Sequence, residues 1–400
     1  MKRRFFVSML GSSVYLSVRA QTQKRYGPGA SDTEIRLGQT MPYSGHLSAL
    51  GNFGRVQLAY FQMLNDTEGG VSGRRVNLLS RDDGYSPPRT VEAVRELVER
   101  DEVLGIIHPV GTASNKAIHR YMNQKKVPQL LVLSGAQQWN DPKANPWTMM
   151  GMIAYHTEGS IYAKHFKGTF PQGKLTVLIQ NDDFGKDYLA GLLSGLGSRQ
   201  DDLILKTTYE TSDPTIDSQV IAMQRTRAEG VFLGGTGKFV SLALKKIHEL
   251  GWRPQIYLPI GSASVGGILK PAGFDAAKGV ITAANAKSSG DPAWDQDVGM
   301  RGYFDFLKRW APAINPNDSF AASGFSYAQI IVQILKQCGD HLTRENLMRQ
   351  ASNLKGFSST MMLPGVTVDT SSDDYLPFQK LRLQQFDGSS YKLIGELMEV

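Results

Sequence analysis

The sequence predicts an α/β protein made of two doubly wound parallel-sheet lobes. Three observations carry that expectation. Short apolar runs of strand length alternate with amphipathic helical runs, the pattern of parallel strands covered on both faces. The alternation starts twice, once on each side of roughly Gly151. The loops of unusual composition all follow strands, and doubly wound sheets bind ligands outside the C-terminal ends of their strands.

Taken in order, Glu34 to Gln39 alternates as a strand, and Phe53 to Leu64 sets Val56, Ala59, Tyr60, Met63 and Leu64 at helical spacing. Gly69-Gly70 ends that helix and Val76 to Leu79 is a second strand. Ser86-Pro87 supplies a capping hydroxyl and a Pro at the first helical position. Val103 to Ile107 is a third strand, followed by a helix starting at about Ser114, and Val127 to Leu133 is a fourth. In the second half, a helix over about Glu158 to Phe166 precedes the strand Leu175 to Ile179. Strands at Leu203 to Thr208 and Gly230 to Leu233 alternate with helices at Asp217 to Arg227 and Val240 to Leu250. Ile256 to Leu258 and Val280 to Thr282 close the run. After about Asn285 come three helical stretches and a β-rich tail.

Four hundred residues, 41% hydrophobic and 20% charged, suffice for two cores. Of the formal net charge of +7, four positive charges come from Lys2, Arg3, Arg4 and Arg19, so a nucleic-acid partner is not expected. Residues 1–20 read as a secretory signal: a basic start, an apolar stretch and the small-x-small site Val18-Arg19-Ala20. Residues 21–32 are polar and read as a flexible leader. No later run has the length of a membrane span. The mature chain is therefore expected in the periplasm, exported through its signal peptide.

The seven His residues form no H-x-x-x-H or H-E-x-x-H pair, and Cys338 is the single cysteine, so no metal site is predicted. Gly235-Thr236-Gly237-Lys238 lacks the first glycine of a phosphate loop. Gly324-Phe325-Ser326-Tyr327-Ala328 ends in Ala where a nucleophile elbow has Gly. The acid pairs Asp82-Asp83 and Asp182-Asp183 sit in turns, where Asp is ordinary. No catalytic set can be named, no cofactor is expected, and the chain reads as a non-enzyme.

The stretch "HPVGTASNKAIHRYM" (His108 to Met122) breaks a strand into small and hydroxyl-bearing residues before a helix. A helix start of this kind directs free N–H groups and its positive dipole end toward an anion.

That stretch, with "GQTMPYSGHLSALG" (Gly38 to Gly51), "NDTEGGVSGRRVNLLSRDD" (Asn65 to Asp83) and "QNDDFGKDYLAGL" (Gln180 to Leu192), strongly resembles the periplasmic substrate-binding proteins of branched-chain amino acid type ABC transporters, from about Thr33 onward. The resemblance implies the type I periplasmic binding fold, with hinge crossings near Gly151, Asn285 and Phe378. One lobe would take residues 33–152 plus 286–375, and the other 153–285 plus 376–400. It further implies that the lobes close on a ligand, that the closed form docks on a membrane permease, and that the chain is monomeric.

In members that bind amino acids, two loops of the first lobe hold the carboxylate. The matching positions are Gly111, Thr112, Ala113 and Ser114, and Ser134, Gly135, Ala136 and Gln137. The second lobe there supplies an acid and an aromatic hydroxyl for the ammonium. The corresponding positions are Gly261 or Ser262, and Thr236; a further family tyrosine becomes Phe184. A buried ammonium without a carboxylate partner is costly. The expected ligand is thus a small carboxylate with an apolar or aromatic body, against Tyr43, Leu50, Tyr155 and Phe184, with Trp139 as a further face. An acid pointing into the cleft would restore the amino-acid reading, and Asp182, Asp183 and Glu158 are the candidates. A branched-chain amino acid ligand and a ligand-sensing receptor role stay open as alternatives.

Overall fold

The computed structural model describes residues 24–399; the signal read over residues 1–20 lies outside them. Fourteen strands are present among the described residues: β1 Arg25–Tyr26, β2 Glu34–Met41, β3 Arg75–Asp82, β4 Gly105–Ile107, β5 Gln129–Val132, β6 Thr148–Met150, β7 Leu175–Gln180, β8 Leu203–Tyr209, β9 Gly230–Gly234, β10 Gln255–Tyr257, β11 Ile281–Ala284, β12 His341–Leu342, β13 Lys380–Phe386 and β14 Tyr391–Glu399. They form a five-stranded sheet, order β3-β2-β4-β5-β6, a seven-stranded sheet, order β14-β13-β11-β10-β9-β7-β8, and the small pair β1-β12.

The five-stranded sheet is parallel throughout. Its central strands are apolar and buried on both faces, as in β4 (Gly-Ile-Ile) and β5 (Gln-Leu-Leu-Val). The seven-stranded sheet is parallel from β8 to β11, but β13 pairs antiparallel with β11, and β14 pairs antiparallel with β13. That is a departure from purely parallel lobes. The β-rich tail is a hairpin turned by Asp387, whose carboxylate accepts the N–H groups of Ser389 (2.7 Å) and Ser390 (2.9 Å). A tight turn permits only an antiparallel pair.

Residues 24–32, read as a leader, are tied down: β1 pairs with β12, and the Tyr26 hydroxyl donates to Asp32 at 2.7 Å. The cue was absent from composition because the partner strand lies more than three hundred residues away.

Helix ends follow local chemistry. Asp182, Asp297, Asp318 and Thr343 cap their helices with side-chain oxygens. Ser86 stands before Pro87 but makes no capping bond; the Pro at the first position sets that helix start instead. The helix expected from about Ser114 begins at Thr112, and the one expected from about Glu158 begins at Tyr155.

The chain leaves the first sheet after β6 and returns after β11. At that return residues 285–287 run beside 361–363, with Leu363 N–H donating to Asn285 O (3.1 Å) and Lys287 N–H to Met361 O (2.8 Å). Helix Ser319–Cys338 then packs on helix Gly51–Glu68, and Arg344 donates to Val103 O just before β4 (2.8 Å). The chain crosses again to place β13 beside β11. In each sheet the strand order reverses once, between β2 and β4 and between β7 and β9. These two switch points carry the loops that build the site.

Candidate functional site

A cavity of about 180 Å³ lies where the two switch points face each other. Six of the residues expected at the site line it: Leu50, Gly111, Tyr155, Phe184, Thr236 and Ser262.

On the first-lobe side, Gly111 stands just before helix Thr112–Lys125 with φ +90°, and no side chain caps the helix. Its first N–H groups have no side-chain cap, and Gly111 at the helix start lines the cavity. A side chain at Gly111 would lie 2.5 Å from the Tyr85 ring. Beside it, Thr112 Oγ1 is 2.8 Å from Ser134 Oγ. The direction of that bond follows from the other partners of Ser134. Trp139 Nε1–H (2.9 Å) and, more weakly, the Ala136 N–H (3.4 Å) both donate to Ser134 Oγ. With both lone pairs engaged, the Ser134 proton is directed at Thr112, and the Thr112 proton is free to point elsewhere.

The Tyr155 hydroxyl completes the group, lying beside Gly135, Ser134 and Thr112. Burial pushes its pKa up to about 12, so it remains a neutral donor. Hydroxyl and N–H donors thus converge without any lysine or arginine. Such a set suits a carboxylate, whose lone pairs take several donors.

The other expected residues sit behind or beside the wall. Ser114 is buried with its oxygen 2.9 Å from Thr90 Oγ1, turned away from the cavity. Ala113 follows Thr112 in the first helical turn without lining the cavity. Gly135 accepts the Tyr155 N–H through its carbonyl (2.8 Å), and Ala136 is core. The Gln137 N–H crosses to the Asp187 carboxylate (3.1 Å). Tyr43 is held by Ser80 (2.6 Å) and covered by Arg55, and does not reach the wall. Trp139 is fully buried and orients Ser134 rather than offering a face to a ligand.

The second lobe supplies aromatic surface. Tyr155 stacks on Tyr188 with centroids 4.7 Å apart, and Phe184 meets Tyr155 edge-on at 5.1 Å. Thr236 donates to Gln180 Oε1 (2.9 Å), and Ser262 donates to Gly235 O (2.6 Å). Both hydroxyl protons are therefore engaged within the protein.

No aspartate or glutamate is among the lining residues. Asp182 caps its helix and accepts from Gln180 (2.7 Å), and Asp183 pairs with Lys116 (2.6 Å). Glu158 is fully buried and accepts from Tyr162, from Tyr188 (2.6 Å) and from the Ile260 N–H (2.6 Å). Burial pushes its carboxyl up to about 7, against those three bonds. None of the three acids faces the cavity.

Sequence reasoning missed Tyr85, Tyr188 and the wall formed around residues 285–289 and 319–327. Tyr85 holds φ +60°, rare for an aromatic residue, and lies against Gly111. Its place after Asp83-Gly84 was the available signal. The lobes also touch directly: Lys238 N–H donates to His46 O (3.3 Å) and Ser264 to Asp318 (3.1 Å).

A family model described as periplasmic binding protein matches residues 34–391. A Leu/Ile/Val-binding protein homolog from Brucella suis is 22% identical over 266 residues, 64% of this chain; the chain spans 65% of that relative's length. A branched-chain amino acid ABC transporter protein from Thermus thermophilus with bound valine superposes with a TM-score of 0.82 at 16% identity, over 92% of this chain and 97% of its own. A solute-binding protein from R. palustris in complex with benzoate gives 0.76 at 18% identity, over 92% and 98%.

Proposed function

Because the chain belongs to the periplasmic binding protein family, we propose that it captures a small carboxylate with an apolar or aromatic body by closing two lobes, 33–152 plus 286–375 and 153–285 plus 376–400, and delivers it to an ABC permease. The Tyr155 hydroxyl and the helix start at Gly111 hold the carboxylate, with Thr112 behind them and Ser134 and Gly135 fixing the positions of Thr112 and Tyr155. Tyr155, Phe184 and Leu50 enclose the body. The protein works in the periplasm as a monomer and performs no catalysis. The observation that carries this reading is a wall rich in neutral donors and aromatic rings that contains no acid. An α-ammonium there would lose its hydration without gaining a counter-charge.

The test is a thermal-shift screen on protein stripped of ligand by unfolding and refolding. Benzoates, phenylpropanoates and medium-chain aliphatic acids are compared with leucine, isoleucine and valine. A ligand at a hundred times its Kd adds about 2.7 kcal/mol. Stabilisation by acids and none by amino acids supports the proposal. Stabilisation by valine or leucine would return the site to amino acids.

A further inference from the structure

The cavity does not end at the aromatic wall. It continues to the turn after β11 and to the start of helix Ser319–Cys338, where Asn285, Ser288, Ser289, Ser319, Ser323 and Tyr391 line it. Ser319 and Ser323 are four residues apart and share one helix face. Gly290 lies against Asn317, which brings that helix start beside the 288–289 turn. The pair Lys392–Asp291 (2.5 Å) draws the strand carrying Tyr391 to the same place. Ser289 is 8% exposed, and Tyr391 is 3% exposed with a hydroxyl that has no hydrogen-bond partner among the described residues. Buried polar groups are normally satisfied, so an unpartnered hydroxyl in a chamber wall marks a position for a ligand atom.

Charge decides the kind of atom. Lys287 is committed to Asp297 (2.7 Å) and Lys392 to Asp291, so the chamber offers no free cation and no free carboxylate among the described residues. A second ionised group placed there would stay uncompensated.

We propose that this chamber is a second, neutral polar subsite, and that the ligand is an acid with an apolar body and a hydroxyl or carboxamide at its opposite end. This rests on the carboxylate reading above and adds the far end of the molecule to it.

Matched pairs test it by titration calorimetry: octanoate against its terminal hydroxy and carboxamide derivatives, and phenylpropanoate against its para-hydroxy derivative. The polar derivative is expected to bind about tenfold more tightly than its parent, the gain of roughly one well-made hydrogen bond. In Tyr391→Phe, and separately in Ser319→Ala/Ser323→Ala, that ratio should collapse toward one. Tyr391→Phe removes a hydroxyl that bonds no protein group among the described residues, so it tests the subsite with the fold intact. Parents that bind while their polar derivatives bind no better would overturn the subsite and leave the carboxylate reading standing. So would a ratio that survives in both variants. If neither series binds, the carboxylate reading fails and the subsite falls with it.

Discussion

Glu158→Gln separates structural acid from ligand-binding acid. The native carboxyl of Glu158 is raised from 4.5 to about 7 by burial, while in the unfolded chain it returns to its ordinary value. Native protein therefore holds a proton through that interval when unfolded protein does not. The sign follows: stability from this group is fully present below pH 4.5 and is lost as pH rises through about 7. Each pKa unit is worth about 1.4 kcal/mol, so the wild type should lose roughly 3 kcal/mol across the window relative to a variant that cannot titrate there. The Gln amide is neutral and keeps an oxygen for the Ile260 N–H. Urea denaturation of both proteins, followed by tryptophan fluorescence from below pH 4.5 to above 7, gives the difference directly. Other buried acids titrate equally in both proteins and cancel. Parallel curves for the two proteins would refute the assignment. Acid binding should survive the substitution, because Glu158 spends its oxygens on Tyr162, Tyr188 and Ile260.

Two further substitutions act on lobe closure. Gly237 has φ +52°, and a Cβ there would lie 2.2 Å from His46 O on the other lobe; Gly237→Ala should weaken ligand affinity by tenfold or more, read by calorimetry, and shift the ligand-bound molecule toward an open shape in small-angle scattering. The Lys116–Asp183 bridge between the lobes is 56% and 37% exposed at its two side chains; Lys116→Ala should cost at most about 1 kcal/mol of binding at low salt, and the difference should vanish in high salt.

The alternation of strands and helices was visible because periodicity is local: β4, β5, β7 and β9 each carry their burial pattern in a few consecutive residues. The hydroxyl-rich break at Gly111 to Ser114 was visible for the same reason, as was the absence of an acid at Gly261 and Ser262. The roles within those loops were not visible. Ser114 and Thr112 are two residues apart on one helix start, yet one turns to Thr90 and the other to Ser134. Trp139 reads as a ligand face by type, but its indole N–H is spent on Ser134.

By itself, the sequence determined the fold class, the sheet ends whose loops meet at the cavity, and the uncharged, hydroxyl-rich character of the loops at Gly111 to Ser114 and Ser134 to Gln137. All three follow from residue type and near-neighbour spacing. Only the tertiary structure decided which donors converge on one point, that Glu158 is sealed away from the cavity, and that the wall continues to Ser289, Ser319 and Tyr391. Those residues meet because the chain crosses between the sheets and returns, and contacts closed over a hundred residues leave no mark in local pattern.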